Sequence, residues 1–225
     1  MPDKTLHAQP DIDMKPPVFP KEMRKGVLQQ GYFKPHEEYS RIRFEGGQSV
    51  GAECEHLVLD QVQFQRINLD DSELYSLRLT DLRLTGCSLV NTNCEHVIAH
   101  RTEFVDCRLV GLNLTEGHLQ DVRLVKCDLQ WARFRFCSFK TVTFDPCNLK
   151  NANFQGADLS GVQFKRCDLG EVEMSQAKLM GTDLRTSKIE GLRVGIKEVE
   201  GAIVDPFQAA YMASLLGLVV KNDDE

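Results

Sequence analysis

The 225-residue chain is predicted to fold as an all-β solenoid closed by a C-terminal α-helical cap. Three observations carry this. First, every fifth residue from Leu59 to Val194 is large and apolar. Of these 28 positions, 26 are Leu, Phe, Met, Ile or Val, and only Cys94 and Ala99 break the run. A helix repeats every 3.6 residues and a strand every two, so a sustained period of five marks a solenoid. Second, a column two residues earlier, from Val62 through Ser72, Leu82 and Thr92 to Leu192, holds small to medium side chains, with no aromatic and no charge. Two positions in five therefore point inward. Third, seven of the eight prolines lie outside the repeats, where they delete no donor from a β-ladder, and Pro146 stands at an outward corner.

Taken in order, residues 1–39 form a tail and lead-in. Pro2, Pro10, Pro16, Pro17 and Pro20 with scattered charge predict a mostly flexible tail over residues 1–30. The repeats occupy residues 40–195, and Gly46, Gly86, Gly111, Gly156 and Gly181 share one corner register. In residues 196–225, Asp205 is placed as an N-cap and Pro206 at the first helical position. A helix of about residues 206–216 follows, carrying Phe207, Ala210, Tyr211, Leu215 and Leu216, with Gly217 as its stop. Leu218–Val220 are expected to form a short strand before the acidic end.

The repeats resemble the pentapeptide-repeat family, whose motif is a small residue, Asp or Asn, Leu or Phe, then two polar residues. Ala152-Asn153-Phe154-Gln155-Gly156 and Ala157-Asp158-Leu159-Ser160-Gly161 fit it closely. The resemblance implies a right-handed quadrilateral β-helix with four pentapeptides per coil and nearly eight coils, stacked about 4.8 Å apart. The segment Gly201 to Val220 is similar to the C-terminal cap of members that act on DNA gyrase, in which it joins two rods tip to tip. That resemblance implies a homodimer, with a plain cap as the alternative.

Eight cysteines raise the question of disulfide, metal or catalysis. Cys87, Cys107, Cys127, Cys147 and Cys167 recur every 20 residues in the small inward column, Cys137 takes the same kind of position on the opposite face, and Cys54 and Cys94 lie in the large column. All eight are expected to be buried packing residues. His96 and His100 have the spacing of a helical metal pair, but in a solenoid they fall on different faces. No phosphate loop, dinucleotide glycine pattern or Ser-His-Asp set is found, so no enzyme, cofactor or metal site is expected. A formal charge of -6 argues against a general nucleic-acid binder. The sequence holds no apolar run near the ~20 residues of a membrane helix and no apolar N-terminal signal core, which predicts a cytoplasmic protein.

Function is then expected on the outer surface. The face carrying Phe64, Leu84 and Phe104 has eight bases and five acids, whereas the opposite one has six acids and three bases. Glu53, Glu55, Asp70, Asp71, Glu73, Glu95 and Glu116 form a candidate acidic area. Val90, Val110, Trp131 and Phe136 form a candidate apolar patch, aromatics being enriched at interface hot spots. The expected function is a non-catalytic scaffold for a protein partner. The alternative is a DNA-mimicking modulator of a type II topoisomerase, DNA gyrase, giving fluoroquinolone protection. Arg133, Arg135 and Arg193 interrupt a continuous phosphate-like track and count against that alternative.

Overall fold

The computed structural model describes residues 13–215 and 217–221. Among these the elements are β1 (Arg24–Leu28), β2 (Glu38–Ser40), β3 (Ile42–Gln48), β4 (Glu53–Glu55), β5 (Val58–Asn68), β6 (Glu73–Tyr75), β7 (Arg78–Thr85), β8 (Ile98–Val105), β9 (His118–Val125), β10 (Ser138–Asp145), β11 (Gln163–Phe164) and α1 (Pro206–Leu215). Every strand pairing is parallel. From β3 onward each residue pairs with the one 20 further along, as in Phe44 with Phe64 and Leu84 with Phe104. Single bridges extend the same step, including Asn68 with Ser88, Asn93 with Asn113, Asp158 with Lys178 and Asp183 with Ile203. The bridged positions fall on four sets spaced five apart. The chain is therefore a parallel β-solenoid with four faces to a coil. Face I holds Phe64 and Leu84, face II Leu69 and Leu89, face III Leu74 and Phe134, and face IV Leu79 and Phe139.

The corners explain the period. At nearly every fifth residue φ is left-handed: 53° at His56, 52° at Asp81, 61° at Trp131 and 55° at Phe136. Outside glycine this conformation costs on the order of 1 kcal/mol. The ladder fixes it, because each corner N–H donates to a carbonyl 19 residues on, as from Asn91 to Val110 (2.8 Å) and Trp131 to Lys150 (3.1 Å). Pro146 departs from this set because its ring fixes φ near -65°.

Both inward columns are buried up to Leu192, Val194 being half-buried at the end, and all eight cysteines are free and buried. The small column has a second task. Thr92 and Thr182 donate their hydroxyls to the carbonyls of Leu69 and Leu159, 23 residues earlier, at 2.8 and 2.7 Å. Cys107, Cys127, Cys147 and Cys167 donate Sγ to the equivalent carbonyls of Leu84, Phe104, Leu124 and Phe144 at 3.4–3.6 Å. Cysteine here fills space and tops a carbonyl of the coil below, interchangeably with Ser and Thr. Burial pushes the Cys94 and Cys137 thiols up to about 12, which makes them unreactive.

Two expectations for the ends need correction. Residues 13–28 are not a loose tail. β1 pairs with β3, Val18 N donates to Asp81 Oδ1 at 2.9 Å, and Pro17 is buried. Residues 1–12, the rest of the expected tail, lie outside the described residues. At the other end Leu218–Val220 form no strand. Gly217 instead takes φ 82°, and Leu218 N bonds the Ala213 carbonyl at 3.0 Å, a glycine-type helix stop. At the start of α1, Asp205 Oδ1 accepts from the N–H groups of Phe207 and Gln208 at 2.8 and 2.9 Å, while Gln208 Oε1 accepts from Asp205 N at 3.1 Å. This reciprocal capping box was readable from the Asp-Pro-Phe-Gln order. Buried Gln208 also donates Nε2 to the carbonyls of Leu184 and Ser187 at 2.6 and 2.7 Å, covering the open end of the last coil.

Candidate interaction surface

The outward side chains of face III project from a flat ladder held by the coils on either side. At its N-terminal end Glu53 and Glu55 are exposed, and β4 sets Glu53 directly beside Glu73 of β6. Stacked carboxylates repel. Further along, the acids are increasingly tied. Glu95 accepts from Asn113 at 2.8 Å, and Glu116 lies 3.4 Å from His96.

The predicted acidic area is not one surface. Asp70 belongs to face II, where its Oδ1 accepts from Ser88 Oγ (2.6 Å) and Val90 N (2.7 Å). Its charge is spent on fastening the next coil. Asp71 stands at the corner between the two faces and is bonded by Asn91 at 3.2 Å. Glu53, Glu55, Glu73, Glu95 and Glu116 remain together on face III and its far corner.

The predicted apolar patch also divides. Val90 and Val110 are half-buried on face II. Phe136 lies against Gly156 of the next coil, where a Cβ would come within 2.5 Å of its ring. Phe136 also sits beneath the Arg135 guanidinium, 5.4 Å from the ring centroid. Phe136 nevertheless remains 49% exposed, and Trp131 is 61% exposed. One chain segment thus crosses face III from corner to corner, presenting Trp131, Arg133, Arg135 and Phe136 in turn. Alternating with them, Ala132 and Phe134 are fully buried. Asn113, Thr115, Asn153 and Glu173 complete a shallow depression beside this row. Arg135 Nε is buried there without a hydrogen-bond partner among the described residues.

Sequence reasoning treated Arg133 and Arg135 as interruptions of an acidic face and missed that they share a depression with Trp131. The signal was present as Trp131 to Phe136, the densest outward alternation of aromatic and cation in the chain.

On the cap, Tyr211 faces the rod, its hydroxyl accepting from Gly191 N at 2.6 Å, and Ala210 is half-buried. Phe207 and Leu215 face outward, Phe207 at 89% exposure. Leu216 lies outside the described residues. His96 and His100 do not converge: His100 lies 3.4 Å from Asp121 on another face. Among the described residues no group of three metal-ligating side chains converges, and no helix is long and apolar enough to cross a membrane.

A family model for a pentapeptide repeat region matches residues 77–154, and one for pentapeptide repeats in eight copies matches residues 147–185. No curated protein gives a match. Among solved structures, full-length QnrB1, a plasmid-mediated fluoroquinolone resistance protein, matches at 18% identity over 86% of this chain and 100% of its own, with a TM-score of 0.48. HetL, a pentapeptide repeat protein involved in heterocyst differentiation regulation from the cyanobacterium Nostoc, matches at 17% identity over 73% and 89%, with a TM-score of 0.22. A pentapeptide repeat protein from the cyanobacterium Cyanothece matches at 18% identity over 70% and 91%, with a TM-score of 0.26.

Proposed function

Since its repeats over residues 77–185 place this chain in the pentapeptide-repeat family, we propose that it is a non-catalytic interaction scaffold, a rod whose face III meets a protein partner. One observation carries the reading: Trp131 is exposed on a corner that the ladder holds rigid, and Arg133 and Arg135 line the same shallow depression. Trp and Arg are the residue types that dominate binding energy at interfaces, and a fixed backbone lowers the ordering cost of association. The partner's chemistry follows from the row: an apolar cleft for the indole, flanked by carboxylates for Arg133 and Arg135. The exposed Phe207, Leu215 and Leu218 of the cap support self-association at the C-terminal end.

Affinity capture with the wild-type chain and with Trp131→Ala tests this. A protein held by the first and lost by the second, at unchanged melting temperature, supports the reading. An identical captured set contradicts it.

A second reading, a DNA-like surface acting on a type II topoisomerase, is favoured by the stacked, like-charged Glu53 and Glu73. Arg133, Arg135 and Arg193 on the same face count against it. A gyrase supercoiling assay with and without a fluoroquinolone separates the two. Neither inhibition nor protection at micromolar protein removes the second reading.

A further inference from the structure

The corner between faces IV and I carries a built track that the interaction surface on face III does not use. It lies diagonally across the rod from Trp131. A short stretch of the chain's own N-terminal segment runs along it, parallel to the rod axis and across the strands. Lys15 N points to Asp121 Oδ1 at 3.4 Å, Val18 N donates to Asp81 Oδ1 at 2.9 Å, and the Val18 carbonyl accepts from Gln61 Nε2 at 3.4 Å. Asp121 and Asp81 are two coils apart, about 10 Å at ordinary strand spacing. Three extended residues span about 10 Å. The segment is therefore fully extended, with its backbone donors matched to the coil repeat.

The contacts have the form of peptide recognition. Carboxylates that are themselves 5% exposed take up backbone N–H groups, so the track reads main chain. Asp81 is held in place by a bidentate pair with Arg101, at 2.6 and 2.7 Å. Specificity comes from two side chains: Pro17 is buried against the rod, and the Phe19 ring lies under the Arg83 guanidinium, 5.4 Å away. Proline favours the extended backbone and supplies no donor to be left unpaired. None of these contacts continues the β-ladder, so their loss leaves the solenoid's backbone bonds intact.

We propose that this corner is a docking track for an extended peptide of Pro-x-aromatic chemistry from a partner protein, and that residues 15–19 occupy it in cis as a displaceable strap. The proposal stands apart from the Trp131 surface, and a peptide bound here binds the Trp131→Ala chain equally.

The probe is a fluorescent peptide of residues 13–20, titrated into full-length chains. In Pro17→Asp/Phe19→Ser the strap is expected to leave the track, read as faster tryptic cleavage after Lys21. That chain binds the peptide saturably, and the wild type binds at least tenfold more weakly because its track is filled. Adding Asp81→Ala and Asp121→Ala, or Gln61→Ala alone should a double variant fail to fold, weakens binding tenfold or more. Any of four results overturns the proposal: unchanged cleavage in the strap variant, no saturable binding to it, binding indifferent to the track substitutions, or a wild-type dimer in sedimentation that the strap substitutions convert to monomer. The last would make a second copy of this chain the occupant.

Discussion

The two halves of the rod share one backbone and differ inside and out. The C-terminal half is filled by phenylalanines in register. Phe134 stacks on Phe154 at 4.7 Å and 7°, and Phe144 on Phe164 at 5.0 Å and 11°; between the stacks the rings meet edge to face, as Phe144 meets Phe154 at 88°. The N-terminal half has one such stack at its end, Phe44 on Phe64 at 5.3 Å and 11°, and beyond it is lined mostly by leucines around an apolar cavity of about 50 Å³, bounded by residues including Leu79, Leu84, Leu89, Cys94 and Leu114. Cys94, one of the two breaks in the large inward column, lines the void. A fixed coil circumference tolerates either filling, because the ladder sets the interior dimensions and side chains only occupy them. Outside, the strap binds the N-terminal half and the Trp131 row begins the C-terminal half. The proposed rigid interface thus sits over the better-packed interior.

The largest effect that sharpens this contrast is removal of a stacked ring. Phe154→Ala is expected to cost about 3–5 kcal/mol, and Leu89→Ala, beside the existing cavity, about 2–3 kcal/mol. Chemical denaturation measures both, and equal or reversed losses break the comparison.

Added volume gives a smaller effect of opposite sign in the two halves. Cys94→Leu is expected to stabilise by about 0.5–2 kcal/mol by filling the void. Ala157→Val, in the packed half, is expected to cost about 1–3 kcal/mol. Destabilisation by both would show that the cavity cannot be filled without strain.

The smallest effect is acid sensitivity of the strap. Burial raises the pKa of Asp81, but its bonds from Arg101 and from Val18 N outweigh that and hold the carboxyl below its ordinary value. A depressed folded value means the stabilisation is complete above the ordinary carboxylate pKa of about 3.9 and is lost as pH falls through the lower folded one. Protection of the Val18 amide from exchange, after correction for the intrinsic rate, should persist to about pH 4 and fall below it. Loss already at pH 5–6 would contradict the assignment.

Much of the fold was legible because the solenoid writes its period into every coil: an inward side chain at each fifth residue cannot be hidden by local propensity. The Asp205 N-cap and the Gly217 stop were legible for the same reason, being local. The strap was not, since its partners Asp81 and Asp121 lie 63 and 106 residues from Val18 and Lys15 and occupy ordinary outward corners. The site was legible only in part. Trp131 stood out as the only tryptophan. Sequence gives the face of a residue, however, and not whether its side chain lies down, so Phe136 on Gly156 and Asp70 on Val90 N read as free until the neighbouring coil was in place.

The interior carries the fold, and the Trp131 row is the proposed interaction surface. The most direct test measures melting temperature and partner capture on Trp131→Ala and Phe154→Ala, with capture done below both transitions. The account predicts a double dissociation: Trp131→Ala melts as wild type and loses its partner, whereas Phe154→Ala melts lower and keeps it. A Trp131→Ala chain that melts as low as Phe154→Ala, with capture following stability in both, would contradict it.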